Sequence, residues 1–317
     1  MKKYAFSLIL VTMILITAVF VGIQSLAISA EVASAKPVSD ITDEQAKGII
    51  AHSPKKAAVK PKKARKLLVY VQTDQFRTPG EPYVNRMLKV MGEKTGAFST
   101  EFSSDINVFL PENLDKYDAF ALNSTVNMPV SPVATPKLCE SIMNFVKGGK
   151  GAIGIHGAVD NFRNWPEAQE MFGNLFRGHP WQESGTWAVK VDEPDHPLTA
   201  PFKGQKGFKI VTEIYASTPP IYSRDKQLVL MSLDMSDPST KAQASKEADY
   251  DTGVSWIKNW GQGRVFYTNF GHGGNRAGLE LENGPVQEHF LLGIQWAMGD
   301  LQADATPKGA KATAKAN

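Results

Sequence analysis

Only one of the 317 residues, Cys139, is a cysteine, so no internal disulfide can form and the fold must stand on packing. The thiol falls in Leu138-Cys139-Glu140-Ser141-Ile142-Met143, a helical apolar pattern that reads as a buried structural group rather than a nucleophile. Basic charge is scarce in the central region. Residues 67–302 carry 21 Lys+Arg against 27 Asp+Glu, while the two ends together carry 14 against 5. Without a clustered basic face there is nothing to neutralise phosphates, which excludes nucleic acid as the expected partner. There is no Walker loop, and Gln72-Thr73-Asp74-Gln75-Phe76-Arg77 stands where a Gly-x-Gly-x-x-Gly would follow the first apolar run, so nucleotide binding is not expected. No two histidines have the i, i+4 spacing of a helical zinc protease, and there is no Cys cluster.

What is present begins with a leader. Met1-Lys2-Lys3 precedes an uncharged, mostly apolar stretch to Ala30, which reads as an export signal over residues 1–30, with small residues offering cleavage after Ala27, Ala30 or Ala35. The stretch is long enough that an uncleaved anchor over residues 4–30 is the alternative, and the only expected membrane contact. Either way the protein is expected outside the cytoplasm. Residues 31–65 are Ala, Pro and Lys-rich and read as a basic linker or a short helix plus tether; residues 303–317 read as a disordered tail.

Between these ends, over residues 66–302, apolar runs alternate with helical patterns. Strands are expected at 67–71, 117–122 and 152–155, and helices at 83–95 and 135–146, the second opened by Thr135-Pro136 and closed by Gly148-Gly149. Runs apolar on both faces in a βαβα order imply a mainly parallel sheet covered by helices. Further strands are expected at 186–191, 208–215, 227–233, 254–258 and 264–269, and a last helix from Pro285 to Met298.

Five of the six histidines lie in this region, four of them where elements end. His156 follows Gly154-Ile155 and precedes Gly157-Ala158, so a tight turn lifts it out at the carboxyl edge of the sheet, where open α/β sheets bind ligands. Gly271-His272-Gly273-Gly274 leaves another strand in the same manner. His179 and Trp181 share a loop in which the indole is either a sugar-stacking surface or a hydrophobic cover; Trp165 has the same two readings. His196, in Asp195-His196-Pro197, reads as turn chemistry, and His289 as an ordinary helical residue. Glu213, inside Val211-Thr212-Glu213-Ile214-Tyr215, is a costly carboxylate in an apolar strand. It is a general acid or base, a metal ligand, or the partner of Arg224 or Arg264.

The segments carrying these residues resemble the ThuA-like (trehalose-utilisation) family of the class I glutamine amidotransferase-like superfamily. They are Gly149 to Ala158, Phe172 to Trp181, Asp195 to Leu198, Thr212 to Tyr215, and Trp260 to His272, covering about residues 66–302 in order. The resemblance implies a flavodoxin-like three-layer α/β sandwich with a mainly parallel sheet, and a link to trehalose, sucrose or keto-sugar metabolism. In amidotransferases the turn after the corresponding strand presents a Cys nucleophile; His156 occupies that place here, which disfavours thioester chemistry. Many members have a His soon after the first strand, where this chain reads Phe76-Arg77-Thr78-Pro79; if that His belongs to a site, the site is altered here.

The expectation is therefore an exported, sugar-processing enzyme taking a small carbohydrate at the carboxyl edge. His156, His272, Glu213 and His179 are the catalytic candidates and also the candidate ligands of a divalent metal. Trp165, Trp181, Tyr215, Asn269 and Arg224 are the candidates for substrate binding. The alternative is a non-catalytic carbohydrate-binding module in which Trp165, Trp181, Tyr215 and Trp256 supply stacking surfaces.

Overall fold

The computed structural model describes residues 37–72, 78–273 and 279–309. The expected leader, residues 1–30, lies outside the described residues, as do 73–77 of the loop after the first strand and 310–317 of the tail. Among the described residues no helix is long and apolar enough to cross a membrane.

A nine-stranded sheet forms the centre: β1 Lys66–Tyr70, β2 Ser99–Ser103, β3 Ala119–Asn123, β4 Gly151–Ile155, β5 Thr186–Val191, β6 Gly207–Val211, β7 Leu228–Leu233, β8 Gly253–Trp260 and β9 Gly263–Thr268. Their spatial order is β2-β1-β3-β4-β9-β8-β7-β5-β6. The first five are parallel, because Glu81–Thr95 and Pro136–Lys147 are crossover helices that return the chain to the same edge. From β9 onward every pairing is antiparallel. The reason is local at one point: β8 and β9 are joined by Gly261-Gln262, and a two-residue loop with Gly261 in the left-handed region closes only an antiparallel hairpin. The expected mainly parallel sheet is thus corrected to a half-parallel, half-antiparallel one.

Side chains of β1 alternate between two cores. Leu67, Val69 and Val71 pack with Val84, Leu88 and Phe290 on one face; Leu68 and Tyr70 pack with Phe109, Leu138 and Ile142 on the other. Cys139 lies in the second core, and burial pushes its thiol up from its ordinary pKa.

One expectation is revised at the edges, and one strand is added. The strand expected over 208–215 stops at Val211, and beyond it only Ile214 makes a bridge, to Trp181, so Glu213 stands on an irregular segment past the strand end. The β2 strand, half-exposed at the sheet edge and carrying Ser99, Thr100 and Glu101, has no apolar run to announce it.

The flanking segments are held against the sheet domain. Gln295 accepts hydrogen bonds from the Ala58 and Val59 amides, and Arg65 joins the buried carboxylates of Asp300 (2.6 Å) and Asp118 (3.1 Å). At the other end Ala305 is buried, His196 Nε2 lies 2.8 Å from the Asp304 carbonyl, and Lys308 pairs with Glu193. Packing therefore reaches beyond 66–302 on both sides, through backbone and salt-bridge contacts that composition does not reveal.

Candidate functional site

The register of the sheet brings the first elements of the site together. Ile155 of β4 pairs with Thr268 of β9, so the next residues, His156 and Asn269, stand side by side at the carboxyl edge. His156 has φ +43°, a left-handed conformation that costs a β-carbon-bearing residue energy and turns its side chain out of the strand. The carbonyl of Asn269 lies 3.0 Å from His156 Nδ1, and the Tyr267 hydroxyl donates to the His156 carbonyl at 2.8 Å. Because a carbonyl only accepts, Nδ1 carries a hydrogen and Nε2 is the ring atom left for chemistry.

That atom faces Glu213. His156 Nε2 is 3.4 Å from Glu213 Oε1, His272 Nε2 is 3.8 Å from the same oxygen, and His179 Nδ1 is 3.0 Å from Oε2. Three imidazoles from three loops thus converge on one carboxylate, with the His156 and His272 rings 4.9 Å apart. Asn269 fastens the segment, donating to the Glu213 carbonyl and accepting from the Tyr215 amide. His156 is fully buried and Glu213 nearly so, while His179 is 40% exposed and opens the cluster to solvent.

The electrostatics follow from this packing. Burial works to raise the Glu213 carboxyl, but contact with His156 and the fields of His156, His272 and His179 outweigh it and hold the group below the usual carboxylate range. Burial, reinforced by His156, pushes His272 down to about 4, so that imidazole is neutral at pH 7. Burial, then the charges of Glu213 and Asp160, keeps the Tyr215 hydroxyl protonated above its ordinary range; its ring lies 4.4 Å from that of His156.

Of the residues singled out in the sequence, the structure brings together His156, His179, Glu213, Tyr215, Asn269 and His272. It does not bring in the tryptophans or Arg224. Trp181 is fully buried with Nε1 donating to the Thr240 carbonyl, and Trp165 and Trp256 belong to the second core, the latter stacked on Tyr267. None presents a face to a sugar; they are hydrophobic covers, because an indole so placed contributes most by leaving water. Arg224 is paired with Asp251 and Asp192, and Arg264 donates to the Trp296 and Leu301 carbonyls, so neither is the partner of Glu213. Asn269 is in the cluster, yet its polar side-chain atoms are committed to backbone rather than offered to a ligand.

Two carboxylates escaped the sequence reading. Asp160 follows the tight turn that begins at His156; burial raises its carboxyl, opposed by Arg163, His156 and His179. Glu183 places Oε2 3.4 Å from His272 Nδ1. An acid directly after the apolar Ala158-Val159 was a signal for the first; the second lies in a polar loop and had none.

His156, Glu213 and His272 offer three ligand atoms all within 4.8 Å of one another. A tetrahedral ion with bonds of about 2.1 Å has ligand-to-ligand edges of roughly 3.4 Å, close to the 3.4 and 3.8 Å separations around Glu213 Oε1. Two neutral imidazoles and a carboxylate suit a divalent cation with one coordination position left open.

Comparison with known proteins agrees with this architecture. A ThuA-like protein from Bacteroides uniformis is 22% identical with a TM-score of 0.58, covering 76% of this chain and 94% of that one. Another from Parabacteroides merdae is 19% identical with a TM-score of 0.57, covering 79% and 96%. At such identities the likeness concerns the fold. No curated protein matches the chain. The sequence model of the ThuA family, described as trehalose utilisation, matches residues 66–297, and the chain belongs to that family.

Proposed function

We propose that the protein is an exported sugar-processing enzyme, acting on a disaccharide or keto-sugar at the carboxyl edge of the sheet, within a three-layer flavodoxin-like arrangement. The observation that carries the reading is the approach of His156 Nε2 to a Glu213 oxygen at 3.4 Å with Nδ1 already engaged by a carbonyl. A lone pair facing an anion is repulsive, so the pair needs a shared proton or a cation between them. Both answers are catalytic devices. With a proton, His156 is an acid/base group poised by Glu213, the role in which imidazoles contribute about 10²–10⁴-fold. With a divalent cation, His156, His272 and Glu213 hold it, and it would polarise a sugar oxygen or lower the pKa of water. In the proton form the lowered Glu213 carboxyl and the lowered His272 imidazole favour an ionised acid beside a neutral ring, and half-exposed His179 offers a second proton-handling group at the mouth. The stacking reading as a binding module loses its support, since Trp165, Trp181 and Trp256 are core residues. Export rests on the lysines and apolar stretch of residues 1–30.

The test is metal content by mass spectrometry on protein made without its leader and without a His tag, beside a His156→Ala, His272→Ala double variant. Near-stoichiometric metal that disappears in the variant is the expected result; metal-free wild type removes the cation form. A screen with trehalose, sucrose and their keto derivatives tests the substrate class, and His156→Ala should lower any turnover at least about 10²-fold. A screen without turnover in folded wild type overturns the sugar reading.

A further inference from the structure

Glu280 is a buried carboxylate outside the His/Glu cluster, in the single 3-10 turn Leu279–Glu282, and only 2% exposed. A carboxyl group is costly in such a place unless it is bonded to something that needs it. Its Oε1 accepts hydrogen bonds from the amides of Gly271 at 2.7 Å and Gly273 at 2.9 Å, the two residues that flank His272. Gly271 and Gly273 have φ +128° and +102°, so the loop curls left-handedly and turns both N–H groups onto one oxygen. The third point of attachment is the His272 carbonyl, which accepts from the Gly80 amide at 2.8 Å. Gly80 and Gly271 leave no room for adjustment: a β-carbon on the first would lie 2.4 Å from the Gly271 and His272 carbonyl oxygens, and one on the second 2.8 Å from the Ile155 side chain. Thr212, the residue before Glu213, sets its hydroxyl beside the same Glu280 carboxyl.

We infer that Glu280 is the positioning residue of the site: one carboxylate oxygen clamps the amides on either side of His272 and so fixes where its imidazole stands relative to Glu213. This inference rests on the His/Glu cluster being the working site. The hydrogen bonds of its Oε1 go to the peptide N–H groups of the loop, and it acts on His272 through them. What the loop needs is an acceptor atom of the right reach. A glutamine supplies one through its amide oxygen, and a methionine of similar length does not.

The experiment compares wild type, Glu280→Gln and Glu280→Met in the folded, metal-stripped protein, with Zn²⁺ alone as the calorimetric probe. Residues that orient metal ligands typically govern 10–100-fold in affinity, so Glu280→Met should bind Zn²⁺ about 10–100-fold more weakly and Glu280→Gln within about 3-fold of wild type. NMR supplies readouts that need no metal. The Gly271 and Gly273 amides should be protected from exchange in wild type and Glu280→Gln and unprotected in Glu280→Met, and the His272 ring resonances should shift in Glu280→Met while those of buried His289 stay put. An unmoved His272 ring and unchanged Zn²⁺ affinity in folded Glu280→Met overturn the inference, as does a glutamine variant as damaged as the methionine one. Wild type that binds no Zn²⁺ defeats the cation form of the proposed function, and the ring and amide readouts then decide the role of Glu280 by themselves. Should Glu280→Met not fold, fast exchange of the two glycine amides in wild type overturns the clamp, and protection retained in Glu280→Gln supports it.

Discussion

His289 provides a sharp physical test because it is fully buried and its environment is simple. Its Nδ1 lies 2.7 Å from the Leu198 carbonyl and its Nε2 2.8 Å from the Ser255 hydroxyl, with the Phe266 and Phe202 rings alongside. Burial pushes the imidazole from 6.5 down to about 4, against the pull of the Leu198 carbonyl. The sign follows directly. Between those two values the unfolded chain takes up a proton that the folded chain refuses, so stability falls as pH drops through that window. At 1.36 kcal/mol per pKa unit, integration from pH 7 to pH 4.5 gives a loss of roughly 2–3 kcal/mol from this one group. His289→Gln removes the titration, while the acid-linked loss at His272, which has the same direction, remains in both proteins. Urea unfolding of wild type and variant at pH 7 and pH 4.5 should show a smaller acid-induced loss in the variant by roughly 2–3 kcal/mol. Equal losses in the two proteins would refute the assignment of a neutral buried imidazole, however much stability the variant has lost at pH 7.

Arg65→Ala leaves the buried carboxylates of Asp300 and Asp118 without their guanidinium and should cost roughly 3 kcal/mol in urea unfolding; a change below about 1 kcal/mol would show that solvent or Lys63 compensates. Gly271→Ala places a β-carbon 2.8 Å from Ile155 at φ +128°, and should destabilise by roughly 2–4 kcal/mol and disturb the His156 resonances; an unshifted His156 ring would separate the glycine from the site. Cys139 should ignore an aromatic disulfide reagent in the native protein and react as a single thiol in denaturant, and native reaction would contradict its burial.

The chain announced its elements where burial leaves a periodic trace. Leu67 to Val71, Tyr117 to Leu122 and Ala152 to Ile155 are strands close to where their apolar runs lie, because central parallel strands are buried on both faces and can carry nothing else. Strand ends also identified His156, between Gly154-Ile155 and Gly157, and His272, between Gly271 and Gly273, since a histidine in a glycine-containing turn at a strand terminus is legible without coordinates. The edge strand Ser99–Ser103 and the termination of β6 at Val211 were not legible, because an edge strand needs little apolar surface and a strand can end where its partner ends. The tryptophans misled for a related reason: an indole in a loop sequence reads alike whether it faces a ligand or the core.

The amino-acid sequence by itself determined the alternation of strands and helices, the absence of a disulfide and the family, because these depend on local pattern and on order along the chain. Only the tertiary structure decided the partners. Glu213 meets His156, His179 and His272 rather than Arg224 or Arg264, and Glu280 reaches the amides around His272, through contacts between segments distant along the chain. Hydrogen bonds form only within about 3.5 Å, and ion pairs weaken with separation. Which groups come that close is set by strand register and loop curvature, which no run of residues specifies alone.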